Sequence, residues 1–296
     1  MRVLCIGHVT FDIMIDINDY PKENTKNKVN KLLGCGGGQA SNAAYLLGKW
    51  GIDTYFLGII GNDSYGKIVK SEFKKVGVNT DYLEESGKTT ISYIIVNSNN
   101  GSRTPLTYHP TELKMNDIEE DINPDIILMD GYESHIANKL LDKYPNCISV
   151  LDAEKNNEEV INLAKRATYV VSSKTFLENF SNIKIQNKES LNKAINYASH
   201  YFNNFIVTLE DKGCAYKNKI IPSIKVKSVD STGAGDIFHG AFVYGLTKNW
   251  ELDKILKFSN IAGALSVTKL GSRNSVYSLK KVEEVYNEFK WYNIYW

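Results

Sequence analysis

The chain reads as an α/β fold with a mostly parallel central sheet and a small accessory β-sheet beside it. Three observations predict this. Short apolar runs alternate with helical stretches along the 296 residues, the pattern of βαβ units. Three of those runs, Asp125 to Gly131, Cys147 to Asp152 and Tyr169 to Ser173, carry Asp or Ser at or near their ends, beyond which open α/β sheets bind ligands. Finally, the small, polar, glycine-rich stretch Val229 to Gly240 feeds the apolar helix Ala241 to Leu246, so a glycine turn meets a buried helix N-terminus.

Taken in order, residues 2–7 form a continuous apolar run ending in Gly7, as expected of a buried strand. Phe11 to Ile17 alternates polar and apolar residues and predicts a half-exposed strand. Tyr20 to Asn24 breaks it, and Lys28 to Leu33 predicts a partner strand, so a strand pair stands outside the main sheet. Gly34 to Gly38 leads into a helix over Ala43 to Trp50. Thr54 to Ile60 is the second core strand. Asn62 or Asp63 then caps a helix from about Ser64 to Lys75, which Gly77 ends. Ile91 to Val96 and Ser102 to Tyr108 flank Asn99-Asn100-Gly101, a strong hairpin signal assigned to the same accessory sheet. After the three core strands named above, Asn204 to Thr208 is another strand, and Cys214 to Tyr216 with Ile220-Ile221 a small hairpin. Leu252 to Thr268 places Phe258, Ile261 and Leu265 at helical spacing, and Leu279 to Lys290 puts Val282, Val285 and Phe289 on one helical face. The aromatic tail Trp291 to Trp296 is expected to pack on the surface. No repeat or low-complexity linker divides residues 1–296, so a single domain is expected.

The bulk properties exclude several partners. Lys+Arg is 35 against Asp+Glu 34, with no basic tract interleaved with aromatics, so nothing points to nucleic acid. Cys5, Cys35, Cys147 and Cys214 are far apart and do not cluster with histidine, which predicts neither zinc nor a disulfide framework but free thiols in a reducing cytosol. Met1 to Gly7 is too short for a signal peptide or a membrane span, and a cytoplasmic protein is expected. His8, His109, His135, His200 and His239 show no metal-ligand spacing; His239, one turn past Asp236, is expected in a core or supporting role.

Gly233, Ala234 and Gly235 carry little or no side chain, so an anion can reach the first N–H groups of the following helix. Asp236 would repel that anion unless it takes a proton from the attacking group. The run Asp230-Ser231-Thr232-Gly233-Ala234-Gly235-Asp236 closely resembles the C-terminal signature of the ribokinase-like (PfkB) carbohydrate kinases. The resemblance implies that Asp236 is the catalytic base, that the 233–235 amides form the anion hole, and that Asp230 and Thr232 lie by a monovalent-cation site. Gly34 to Ala44 resembles the family's N-terminal signature, which implies that Gly37 and Gly38 admit sugar hydroxyls and that Asn42 hydrogen-bonds the sugar. A polyol is held by convergent polar groups, and Asp12 and Gln39 join that set. Arg103, just past the hairpin turn, has forked donors suited to a phosphate or a sugar anion.

The resemblance covers essentially the whole chain. It implies a three-layer α/β/α fold with a small β-sheet lid formed by about residues 12–33 and 91–108, and a homodimer through that lid. It further implies ATP and Mg2+, with K+ completed at Ser275 in the Gly271 to Val276 loop. Thr208 and Gly213 would lie near the nucleotide phosphates and Asn260 near the adenine. The expected activity is transfer of the γ-phosphoryl group of ATP to a hydroxyl of ribose, a ketohexose or a related sugar. The sequence around Tyr20 and Arg103 leans toward the ketohexokinase-like and sulfofructose-kinase-like branches. Phe176 stands where many members carry the Glu of an Asn-x-x-Glu motif, Glu210 where Gly is usual, and Asn24 and Gln39 where Asp and Asn are common in ketohexokinase-type sites. Asp152 and Glu154 suit either water-mediated magnesium or turn capping. The alternatives are a nucleoside or other small-alcohol kinase of the same fold, a nicotinamide dehydrogenase, and a regulatory binder. The turn Gly7-His8-Val9-Thr10-Phe11 lacks the G-x-G-x-x-G of a dinucleotide site, and the intact 230–236 motif argues against a binder.

Overall fold

The computed structural model describes residues 1–110, 115–116 and 121–289. The chain opens with β1 (Arg2–Ile6), β2 (Thr10–Ile17), β3 (Lys31–Gly37), α1 (Gln39–Lys49), β4 (Asp53–Ile60), α2 (Ser64–Lys75) and β5 (Leu83–Glu85). It continues with β6 (Thr90–Asn97), β7 (Arg103–Tyr108), β8 (Ile126–Met129), α3 (Ser134–Lys143), β9 (Ile148–Ala153), α4 (Glu158–Arg166), β10 (Tyr169–Ser173), α5 (Lys174–Ser181) and α6 (Lys188–Ser199). The last part holds β11 (Phe205–Thr208), β12 (Cys214–Tyr216), β13 (Lys219–Ile221), α7 (Ala234–Thr247), α8 (Leu252–Ser266) and α9 (Leu279–Glu288).

Among the described residues the strands form two sheets. The large one runs β13-β12-β11-β10-β9-β8-β1-β4-β5. It is parallel from β5 to β11 and antiparallel only at the β11-β12-β13 edge. Side chains alternate across it: Val3 and Cys5 join one apolar core, Leu4 and Ile6 the other. The first core is closed by α1, α2, α7 and α8, and the second by α3 to α6, which makes three layers. From β1 the chain builds outward to β4 and β5, then returns to β8 on the other side of β1. That reversal opens a crevice at the carboxyl ends of β1 and β8, where ligands of such sheets bind. The small sheet runs β3-β2-β6-β7 and has its own apolar cluster of Met14, Cys35, Ile94 and Val96.

Most predicted elements are present, and Asp63 is the cap of α2, its carboxylate accepting from Gly66 N at 2.9 Å. Three boundaries differ most, and the first is α7, which begins at Ala234 rather than Ala241. β3 begins later than expected and runs on through Gly34 to Gly37, because glycine backbone packs there against neighbouring side chains. α1 begins at Gln39 rather than Ala43. The helices α3 to α6 and the short β5 lie outside the predicted elements. Their apolar positions do follow helical spacing (Val160, Leu163, Ala164; Leu191, Ala194, Ile195, Ala198), but each stripe is short and interrupted by Asn and Lys. Phe176, where the Asn-x-x-Glu motif would place Glu, is fully buried and packs on Phe180 and Phe202, while Ser173 caps α5 by accepting from Phe176 N at 3.1 Å. The tail Trp291 to Trp296 lies outside the described residues.

Candidate active site

The expected transfer end is the start of α7. Every residue from Ile237 to Leu246 is buried, so packing fixes the axis of this helix and hence the direction of its free N–H groups. Gly233 precedes it with φ 78°, a left-handed conformation that favours glycine. Gly235 is exposed, and a Cβ there would meet nothing within 4 Å, so the space over the turn is open. Asp236 lies in the first turn, half-buried, and its Oδ2 accepts from Asn42 Nδ2 at 2.7 Å, which joins α7 to α1. Withdrawal from water, reinforced by the Asp152 charge, pushes the Asp236 carboxyl up to about 7, while the Asn42 hydrogen bond and the Arg103 charge oppose this. Asn42 Oδ1 is buried without a protein partner, an acceptor suited to a ligand hydroxyl.

The residues expected at the acceptor end lie on β2, β3 and the start of α1. Asp12 is 5% exposed; Thr10 Oγ1 donates to its Oδ1 at 2.7 Å, and burial raises its carboxyl above the ordinary range. Gly37 makes room for that carboxylate, since a Cβ would fall 2.2 Å from Asp12 Oδ2. Gly38 precedes α1, and Gln39 Nε2 donates to Asp152 Oδ2 at 3.4 Å. Arg103 is exposed at the start of β7, where its charge counters those of Asp12 and Asp236. Asn24 lies exposed in the loop between β2 and β3.

Asp230 is buried and binds two backbones: its Oδ1 accepts from Thr232 N and its Oδ2 from Gly271 N, both at 2.8 Å. It thus holds the 230–236 motif to the 271–275 loop, where Ser275 Oγ donates to Ser272 O at 2.7 Å. Thr232 Oγ1 is buried with no protein partner, so this pair of loops offers a free oxygen ligand for a cation. Thr208 Oγ1 donates to Ser172 O at 3.2 Å, and Asn260 Nδ2 donates to Ile221 O at 2.9 Å. Glu210 has φ 57° and Gly213 φ 99°, so this turn keeps a backbone that suits glycine even where Glu stands. Among the described residues no group of three or more His, Cys, Asp or Glu side chains could hold a metal ion, and all four cysteines are free. Among them, too, no helix is long and apolar enough to cross a membrane.

The structure adds residues that sequence reasoning missed. Asp130 is 3% exposed and accepts from His8 N and Tyr132 N, both at 3.1 Å, bracing the ends of β1 and β8; its place at a strand end was the available signal. Arg273 is 2% exposed, bonded through Nη1 to Glu72 Oε2 and through Nη2 to Ser41 Oγ, both at 2.6 Å. Glu72 Oε2 also accepts from Gly36 N at 2.9 Å, so one ion pair joins β3, α1, α2 and the 271–275 loop. A lone Arg so far along the chain from its Glu gives no sequence signal.

Residues 2–278 match the model of the pfkB family of carbohydrate kinases. A ribokinase of Bacillus subtilis (strain 168) is 27% identical, over 96% of this chain and 99% of its own length. The crystal structure of a putative ribokinase from Agrobacterium tumefaciens superposes with a TM-score of 0.86 at 24% identity, covering 97% of both chains. The structure of Arabidopsis thaliana ribokinase complexed with ribose and ATP superposes with a TM-score of 0.79 at 22% identity, covering 98% of this chain and 99% of that one. At these identities the structural likenesses show the fold.

Proposed function

The chain belongs to the pfkB family of carbohydrate kinases, phosphotransferases with an alcohol group as acceptor, and from this premise we propose that it transfers the γ-phosphoryl group of ATP to a hydroxyl of ribose, a ketohexose or a related sugar. The observation that carries the reading is the Asp236–Asn42 pair, 2.7 Å apart, beside the open turn at the start of α7. Asp236 takes the hydroxyl proton as the new O–P bond forms and ADP leaves. The transition state of such a transfer is loose, so positioning and charge stabilisation dominate. The 233–235 amides meet the charge on the phosphoryl oxygens. Asn42, Asp12 and Gln39 orient the acceptor, with Gly37 and Gly38 keeping the backbone approachable. Thr208, Gly213 and Asn260 border the nucleotide.

Asp152 and Glu154, at the end of β9, are the carboxylates that would meet, through water, a magnesium ion bound with ATP, and that ion would supply charge neutralisation at the phosphates. A potassium ion would be held by the 230–232 and 271–275 segments, with Thr232 Oγ1 among its ligands. The small sheet acts as a lid that keeps water from competing as acceptor. Leu32, Leu106 and Tyr108, each more than half exposed on that sheet, support a homodimer through it, which sedimentation tests.

The test is ADP release from purified protein with Mg-ATP and K+, across pentoses, hexoses, ketoses, their phosphates and nucleosides. The likeness to a ribokinase puts ribose first on the panel, and the sequence around Tyr20 and Arg103 puts ketoses second. A strong sugar acceptor supports the reading. A nucleoside acceptor moves the protein to nucleoside kinase, and turnover of nothing with ATP still bound sinks both.

A further inference from the structure

One turn past Asp236, α7 carries a side chain to which phosphoryl transfer assigns no task. His239 is 4% exposed. Its Nδ1 lies 2.6 Å from the Gly235 carbonyl oxygen and 3.4 Å from Asp152 Oδ2. Its Nε2 lies 3.2 Å from the Val171 carbonyl oxygen on β10. Both ring nitrogens face carbonyl oxygens, which only accept; burial lowers the imidazole's pKa and favours the neutral ring with a single N–H, and the shorter contact, 2.6 Å against 3.2 Å, assigns that proton to Nδ1. The imidazole is hydrogen-bonded through Nδ1 and lies against Asp152 of β9 and Val171 of β10, between α7 and the central sheet. Asp152 Oδ2, in turn, accepts from Gln39 Nε2 at 3.4 Å, so one carboxylate oxygen touches both the acceptor-side helix and the transfer-side helix.

Gly235 is where such a restraint has the most effect. It is exposed, a Cβ there would meet nothing within 4 Å, and as glycine it has wide conformational freedom. Its carbonyl and the Asp236 amide share one planar peptide, so fixing the oxygen fixes the plane from which the Asp236 side chain springs. We infer that His239 is a positioning residue of the phosphoryl-transfer site: it clamps the Gly235–Asp236 peptide and, through Asp152, keys that turn to Gln39 on the acceptor side. The inference rests on the phosphotransfer reading above.

The test compares His239→Asn, His239→Gln and His239→Ala. An asparagine amide nitrogen can stand where Nδ1 stands, and a glutamine amide nitrogen where Nε2 stands. The Asn variant is expected to keep kcat within about threefold, whereas Gln and Ala lose about tenfold with both KM values moved less than about twofold. Equal turnover per folded molecule in all three, with losses confined to Tm, would mean a packing role and overturn the proposal. Should the variants fail to fold, the imidazole 1H–15N spectrum of the unmodified protein decides: an exchange-protected Nδ1 proton is expected, and a bare Nδ1 overturns the clamp. That spectrum needs no turnover. A protected proton in a protein that phosphorylates no acceptor overturns the kinase reading and leaves the peptide clamp standing.

Discussion

The two ends of the proposed site are made of different material. The transfer end consists of backbone amides and one carboxylate on α7, a helix buried from Ile237 to Leu246. The acceptor end consists of side chains (Asp12, Gln39, Asn42, Arg103) borne by α1 and by a small sheet whose strand β7 is exposed along its whole length. Backbone chemistry needs small residues at adjacent positions, so at the transfer end it is compressed into one short motif, Gly233-Ala234-Gly235. Acceptor recognition needs side chains converging from distant positions, so it is dispersed. The class of reaction is therefore set by the rigid end and the choice of substrate by the adaptable one.

The strongest test of that division is Asp236→Asn. It should lower kcat on the order of a hundredfold or more with the KM for ATP retained. Near-normal turnover in steady-state assays would remove the base from the transfer end. Next comes a pair of glycine substitutions. Gly235→Ala meets no atom within 4 Å, so its Tm should stay that of the parent; the methyl group nonetheless enters the space over the turn, and kcat should fall about tenfold. Gly37→Ala would drive a Cβ to 2.2 Å from Asp12 Oδ2, so it should raise the acceptor KM about tenfold with a smaller change in kcat. The two variants losing kcat alike would break the division.

The pH dependence shows where the ends meet. With its carboxyl pushed up to about 7, Asp236 is protonated, and unable to act as a base, over a range where a free carboxyl is ionised. kcat/KM should therefore fall about tenfold per pH unit below about 7. Stability runs the other way. Between the unfolded carboxyl value of about 4 and about 7 the folded chain binds more protons, so this group's contribution is full below that window and lost as pH rises through it. Asp236→Asn should thus gain Tm relative to the parent at pH 8 but not at pH 4. Asn42→Ala removes a hydrogen bond that lowers the Asp236 value, so the acid limb should move to higher pH while the acceptor KM rises. An unmoved limb would show that Asn42 serves the acceptor alone.

How much of this was legible follows from the same contrast. The strand–helix alternation, the hairpin at Asn99 to Gly101 and the 230–236 motif are local patterns, and the fold and the transfer end follow from them. The partners that give the motif its geometry are not local. Asp230 reaches Gly271, Asp236 reaches Asn42, and Arg273 reaches Glu72 and Ser41. His239 reads in sequence as a core or supporting residue one turn past Asp236; only the sheet beneath it supplies its neighbours Val171 and Asp152. Phe176 was legible as a departure from the Asn-x-x-Glu motif, but that it is a core aromatic is seen only in the packing.

Arg103 is the smallest and most discriminating case. It stands on the exposed sheet, yet its charge counters both Asp12 at the acceptor end and Asp236 at the transfer end. If it acts only through that field, Arg103→Gln should raise the acceptor KM by a factor of about two to five at low salt, leave kcat nearly unchanged, and move the acid limb slightly upward. Added salt should then erase the difference from the parent, because the screening length falls to about 10 Å near 0.1 M and the side chain is open to solvent. A loss that persists at high salt would instead mean a direct hydrogen bond from the guanidinium to the acceptor. Acceptor recognition would then include a lid residue as a contact, and anionic sugars would become the better candidates, since a forked guanidinium matches their oxygens.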